Sequence, residues 1–292
     1  NYVKAVDGLR QILWGLFKKV VIADNCAEYA NLMFDSPEAY NGSSLFLGSI
    51  FFAFQIYGDF SGYSDIALGT SKLFGIDLLQ NFNYPYFSRS IAEFWRRWHI
   101  SLSTWFRDYL YIPLGGSKGT TFSKVRNTFI IFIVSGFWHG ANWTFIFWGF
   151  LNALFIMPSI LFKTNRSNID IVARDTKLPT LKEGLQIVIT FLLTTFAWVF
   201  FRADNLQHAF LFLSQMFTES FFDLPSKKPS FWMLLFLLLF VILEWKGRRD
   251  DFAIQKTGFR QNKVLRRAFY ILLVLVIILF AGKEQEFIYF QF

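Results

Sequence analysis

Apolar residues fall in blocks along the chain, separated by basic connections. Leu185–Phe201, Ser230–Trp245 and Val264–Ala281 are each close to the ~20 residues a helix needs to cross a bilayer, and predict spanning helices. Leu45–Tyr57 belongs to a further span. Thr128–Phe162 is too long for one span and is interrupted by Ser135-Gly136-Phe137-Trp138-His139-Gly140-Ala141-Asn142-Trp143. Two shorter helices meeting there, or one broken helix, are expected, with irregular backbone buried in protein. Leu9–Ala23 carries Lys18 and Lys19 in its middle and is expected to lie in the membrane interface rather than to span.

Charge then orients the blocks. Lys246, Arg248, Arg249, Lys256, Arg260, Lys263, Arg266 and Arg267 follow Trp245, against Asp250 and Asp251. The bias of basic residues towards cytoplasmic loops predicts that this connection lies inside. The C-terminus and Arg202–Pro229 then fall outside, and Lys163–Lys182 inside. Arg89–Arg126 is basic as well. The block Thr128–Phe162 must therefore enter and leave on one side, as a helical hairpin with His139 at membrane depth or towards the outer face.

Composition agrees. Of 292 residues 54% are hydrophobic and 40 are Phe, and 17% are charged against the roughly 25% of a soluble domain; mean hydropathy is +0.36. A disordered chain and an ordinary soluble enzyme are excluded, and an all-α polytopic membrane protein is expected. The net charge of +8 is accounted for by cytoplasmic loops and calls for no nucleic acid. One cysteine, Cys26, excludes an internal disulfide framework and a Cys-based zinc cluster. No repeat or low-complexity tract divides residues 1–292, which read as a single membrane domain. The sequence opens on Asn1 without a signal pattern, so the N-terminal part of a longer chain is expected to be missing.

Candidate chemistry centres on histidines. An ionisable His139 at membrane depth is costly and points to function; the bland alternative is a neutral core histidine bonded to a carbonyl. Trp138 and Trp143 flank it with rings that would exclude water, and Gly140 and Ala141 permit close approach. His99 lies in Phe94-Trp95-Arg96-Arg97-Trp98-His99-Ile100-Ser101-Leu102, where helical spacing puts Trp95, Trp98, His99, Leu102, Phe106 and Tyr109 on one face. That predicts one amphipathic helix at the cytoplasmic surface, its histidine either packed or functional. Arg96 and Arg97 suit lipid phosphates or the phosphates of an acyl donor. His208 reads as solvated or interfacial. Asp59 and Asp65 are six apart and share no helix face, so capping or bonding to Arg or Tyr is the better reading than acid–base catalysis. No G-x-S-x-G, phosphate-loop, H-E-x-x-H or Cys/His metal pattern occurs, neither histidine opens an H-x-x-x-x-D motif, and Gly115-Gly116-Ser117-Lys118-Gly119 reads as a solvated turn.

At these residues the sequence resembles the membrane-bound O-acyltransferase family, and within it the bacterial alginate O-acetylation branch. The matching segments are Phe54–Asp65, Asn81-Phe82-Asn83-Tyr84-Pro85-Tyr86, Phe94–Leu102, Tyr109–Gly116, Ser135–Trp143 and the ending Phe287–Phe292. The resemblance implies many transmembrane helices around a central tunnel in the bacterial inner membrane. It makes His139, of the W-H-G segment, the catalytic residue and His99 the second polar position. Trp138, Asn142, Trp143, Trp98, Arg96 and Arg97 are then expected along the substrate path.

The implied reaction moves an acyl group, acetyl first, from a cytoplasmic thioester such as acetyl-CoA to a hydroxyl of an extracytoplasmic polysaccharide such as alginate. A histidine can take the hydroxyl's proton as it attacks the thioester. No cofactor is expected beyond that donor substrate. Membrane lipids and secreted or membrane-anchored acetyltransferases are the expected partners. The alternatives are D-alanyl transfer to teichoic acid and a non-catalytic channel that passes acyl groups to an outside transferase.

Overall fold

The computed structural model describes residues 1–256, 262–283, 285 and 287, and all regular structure among them is helical. Of the ending Phe287–Phe292, all but Phe287 lies outside the described residues, as does Arg260. Polar residues start the helices. Asn1 caps α1 (Tyr2–Leu16), Asn41 caps α3 (Gly42–Leu73), Thr120 caps α6 (Thr121–His139) and Asn142 caps α7 (Trp143–Leu161). Thr180 and Glu183 form a capping box at α8 (Leu181–Arg202), and Asn205 caps α9 (Leu206–Met216). In each, a side-chain oxygen takes a backbone N–H that the first turn leaves without a partner. α10 (Phe231–Gly247) and α11 (Lys263–Leu279) complete the long helices.

α1 continues through a π-helical turn, Phe17–Ala23, into α2 (Asp24–Asp35) without a break. At 1.5 Å per residue the run is about 50 Å long, and it packs antiparallel to α3. Gly8 meets Gly69, and Gly15 meets Gly62, so closely that a Cβ on any of them would strike the partner backbone. Small residues of this kind let helix backbones approach. The expectation that Leu9–Ala23 lies in the interface is therefore corrected: it runs along the seam with α3. Lys18 Nζ is 2.6 Å from Asp65, and Lys19 Nζ is 2.7 Å from Asp59 and 2.9 Å from Asp24. Pairing offsets the desolvation cost that argued for the interface. The same pairs give Asp59 and Asp65 their structural role, with Lys as the partner.

Connections gather at two ends. At one, Lys4 pairs with Asp77, Gln80 donates to the Asp251 carbonyl, Arg89 pairs with Asp170 and Arg248 donates to the Val172 and Ala173 carbonyls. At the other, Asn41 donates to the Leu224 carbonyl, Arg202 to Asn31, His208 pairs with the Phe34 carbonyl and Asn142 donates to the Asp204 carbonyl. The basic segments 89–126, 163–182 and 246–256 thus share one end, and 203–229 the other, the partition that the charge pattern predicts. The block 128–162 is a hairpin of two helices, α6 and α7, its tip beside Asp204. Two helices among the described residues, Trp143–Leu161 and Leu181–Arg202, are long and apolar enough to cross a membrane.

The stretch from Phe94 to Tyr109 is not one helix. α4 (Ile91–Arg97) and α5 (Ile100–Phe106) are separated by an extended Trp98 and a His99 in the left-handed region, φ 45°. Backbone bonds to a neighbouring segment hold the corner: Ile100 N–H donates to Asn81 O, and Asn83 N–H to Arg97 O, both at 2.9 Å. A π-helical turn, Arg107–Tyr111, follows α5.

Candidate active site

α6 presents Lys124, Thr128, Ile131, Ser135 and His139 at steps of three and four residues, so they share one face. That face lines a cavity of about 610 Å³. From Lys124 to His139 the cavity follows α6 for about 22 Å at 1.5 Å per residue. α4, α5 and the corner between them supply Trp95, Trp98, His99, Leu102 and Phe106, α7 supplies Trp148, Ile156 and Ile160, and α8 supplies Trp198 and Phe201. Tyr109, expected on the same face as these α4 and α5 residues, is exposed instead.

The cavity is polarised along its length. Around His139 the walls are rings. Trp148 meets the imidazole edge to face at 5.3 Å and Phe201 at 5.1 Å. Trp198 stacks on Trp148 at 5.7 Å, and Trp98 lies 5.1 Å from Trp198. Trp98, Trp148, Trp198 and Phe201 are all buried. Towards the other end the lining carries Arg96, Arg107, Lys124, Lys163 and Arg166 and no acidic side chain. Arg107 is balanced by Asp108 at 2.7 Å, and this hydrogen bond holds the Asp108 carboxyl below the usual carboxylate range. Arg96 donates to the Asn165 and Asn168 carbonyls.

The structure brings His139, His99, Trp98 and Arg96 to one cavity. It places four other expected residues elsewhere. Arg97 turns into the fold, 2.8 Å from the buried Glu93 carboxylate, and donates to the Asn83 and Asp170 carbonyls. Asn142 caps α7 and donates to Asp204. Trp143 is 71% exposed. Trp138 touches His139 edge to face at 5.0 Å but is half exposed and stands outside the cavity lining. The rings that enclose His139 are thus Trp148 on α7, nine residues further along the chain, and Phe201 on α8. Lys124, Lys163 and Arg166 passed in the sequence only as topology signals; their place at the rim follows from the α6–α7 hairpin, which returns residue 163 to the level of residue 124. His208 is half buried, its ring held between Asp204 and the Phe34 carbonyl.

A profile of the membrane-bound O-acyltransferase family matches residues 4–202. The chain belongs to the membrane-bound O-acyltransferase family. It is 40% identical over 264 residues to the "Probable alginate O-acetylase AlgI" of Azotobacter vinelandii, covering 89% of this chain and 50% of that protein. It is 43% identical over 218 residues to the peptidoglycan O-acetyltransferase of Helicobacter pylori, 74% of this chain and 40% of that one. The teichoic acid D-alanyltransferase of Bacillus subtilis is 30% identical over 214 residues, 69% of this chain and 52% of that one. The chain spans about half the length of the curated relatives it matches. The matched residues 4–202 run from within α1 to the end of α8 and take in every helix that lines the cavity.

Proposed function

We propose that the domain transfers an acyl group, acetyl first, from a cytoplasmic thioester such as acetyl-CoA to a hydroxyl of an extracytoplasmic polysaccharide. In this reading several of its helices span a bacterial inner membrane, with the end that holds residues 163–182 inside. The observation that carries it is the one cavity joining a cationic rim to His139 and His99 in an aromatic depth. The rim suits the phosphates of the donor, whose thioester arm lies along α6. At the deep end His139 takes the hydroxyl's proton as the oxygen attacks the thioester carbonyl. The C–S bond breaks, the leaving sulfur takes the proton from His139, and the thiol leaves by the rim. The polar donor thereby never meets lipid, and the cavity works as part of a tunnel. The alginate and peptidoglycan acetylation named for the relatives supports a polymer acceptor, with secreted or membrane-anchored transferases as partners.

The test is incubation of the purified protein with radiolabelled acetyl-CoA and acceptor polymer. His139→Ala should accumulate normally in the membrane and lose about 10²–10⁴-fold of the transfer, the loss typical when general-base catalysis is removed. Normal acylation by a stable His139→Ala protein overturns the reading. Transfer only from a D-alanylated carrier protein would move it to the teichoic acid branch. Label passing only in the presence of an outside transferase would make the domain a conduit.

A further inference from the structure

The segment Asn81-Phe82-Asn83-Tyr84-Pro85-Tyr86 has no part in the chemistry above, yet its first residue reaches the histidine corner. Asn81 Oδ1 lies 3.2 Å from His99 Nδ1, 3.1 Å from the backbone N of Ser101 and 3.0 Å from Ser101 Oγ. A backbone N–H can only donate. The Asn81 atom facing Ser101 N is therefore the amide oxygen, and turning the amide over would break that bond. An amide oxygen can only accept. Ser101 Oγ, itself donating to Asn81, lies 3.4 Å from His99 Nδ1; a hydrogen on that nitrogen suits both oxygens, and the geometry points to a neutral ring with its lone pair at Nε2. A histidine side chain in water prefers the opposite tautomer, with hydrogen on Nε2. Phe60, edge to face with the ring at 4.7 Å, limits its rotation.

We propose that Asn81 is a positioning residue for acyl transfer: it holds His99 as the Nδ1–H tautomer and so makes Nε2 the proton acceptor that His99 offers in the cavity. The proposal rests on reading the cavity as the acyl-transfer site. It differs from a purely structural role, in which Asn81 only braces the left-handed corner. A second group that orients an imidazole by occupying one ring nitrogen determines which nitrogen does the chemistry.

The chain has three histidines, so nitrogen NMR of protein labelled in its imidazole nitrogens is assignable with His139→Gln and His208→Gln. At a pH where the ring is neutral, His99 of the unaltered protein should show a protonated Nδ1 and a bare Nε2. Asn81→Ala should shift His99 towards the Nε2–H form, and Asn81→Asp, which keeps an acceptor in place, should not. In acetyl transfer, Asn81→Ala should lower kcat tenfold or more, since a wrong tautomer in a hydrolase triad costs up to about 10⁴-fold. Asn81→Asp should restore most of that loss. In a His99→Gly background, Asn81→Ala should cost nothing further, because a residue that acts through another has no effect once the other is gone.

An Nε2–H His99 in the unaltered protein overturns the proposal whatever the activities are, and needs no variant to fold. A full kcat in Asn81→Ala, or an undiminished further loss in the His99→Gly background, also overturns it and leaves Asn81 a brace. The expected tautomers in a protein that transfers no acyl group from any thioester would instead sink the acyl-transfer reading, and the positioning role with it.

Discussion

Lys18 Nζ lies 2.6 Å from Asp65 Oδ2 in the seam between α3 and the helical run that begins with α1. Ser61 Oγ accepts a second bond from the same amine at 2.9 Å, and Gln11 donates to the other Asp65 oxygen at 2.9 Å. Both charges are buried, and each is satisfied by the other and by one neutral neighbour. Breaking one half should therefore cost more than replacing the whole. Lys18→Met or Asp65→Leu alone strands a buried charge, at about 3–5 kcal/mol. The double variant should recover most of that loss. Thermal unfolding in detergent, followed for the three proteins, measures it; a double variant no more stable than either single one would refute the idea.

His99 combines a special backbone with a special side chain, and the two can be separated. Asn adopts the left-handed region readily and Gly at no cost, whereas Leu there costs about 1–2 kcal/mol. If the imidazole serves transfer, His99→Asn should retain part of the activity through its amide. His99→Gly should keep the corner and lose more activity, and His99→Leu should lose both activity and stability. Acylation compared at equal membrane levels reads the order. A fully active His99→Gly would remove this side chain from the reaction.

The corner also marks where the sequence stopped being legible. Of the face that spacing gave to Trp95, Trp98, His99, Leu102, Phe106 and Tyr109, the first five line the cavity and Tyr109 is exposed. The break between Trp98 and His99 was not readable, because neither Gly nor Pro marks it and its cause is the pairing with Asn81 and Asn83, fifteen or more residues upstream. The hairpin of α6 and α7 was readable because Ser135–Trp143 interrupts an apolar run. Lys18 and Lys19 misled because two of the carboxylates that neutralise them, Asp65 and Asp59, lie forty or more residues away, Asp24 alone being near in sequence. His139's aromatic enclosure was assigned to its sequence neighbours, whereas most of it comes from the next two helices.

The rim should act on donor binding rather than on the chemical step. Lys124→Gln and Arg166→Gln should each raise KM for acetyl-CoA about two- to fivefold, the scale of a solvent-screened charge interaction of up to about 1 kcal/mol. The rise should shrink with added salt, and kcat should change little. An acetyl thioester of pantetheine, which lacks the phosphates, should be indifferent to both substitutions. Equal losses on the two donors would show that these residues do not hold phosphate.

Orientation is open to thiol labelling in a Cys26→Ser background, since Cys26 is the chain's one cysteine. Asp223→Cys and Asp175→Cys replace exposed residues at opposite ends of the fold. The first should react with an impermeant reagent in intact cells, and the second only after lysis. The reverse pattern would invert the topology and send the rim outwards.

α6 and α7 touch backbone to backbone. A Cβ at Gly136 would collide with the Phe145 carbonyl, and one at Gly149 with the Phe132 carbonyl. These contacts act as a ratchet stop for helical phase. His139 comes three residues after Gly136 and ends its helix. One residue inserted between them would swing the imidazole by about 100° around the axis, away from Trp148 and Phe201. Length in this short interval is thus as constrained as residue identity, and a single-codon insertion there should silence the protein even if every side chain named above is still present.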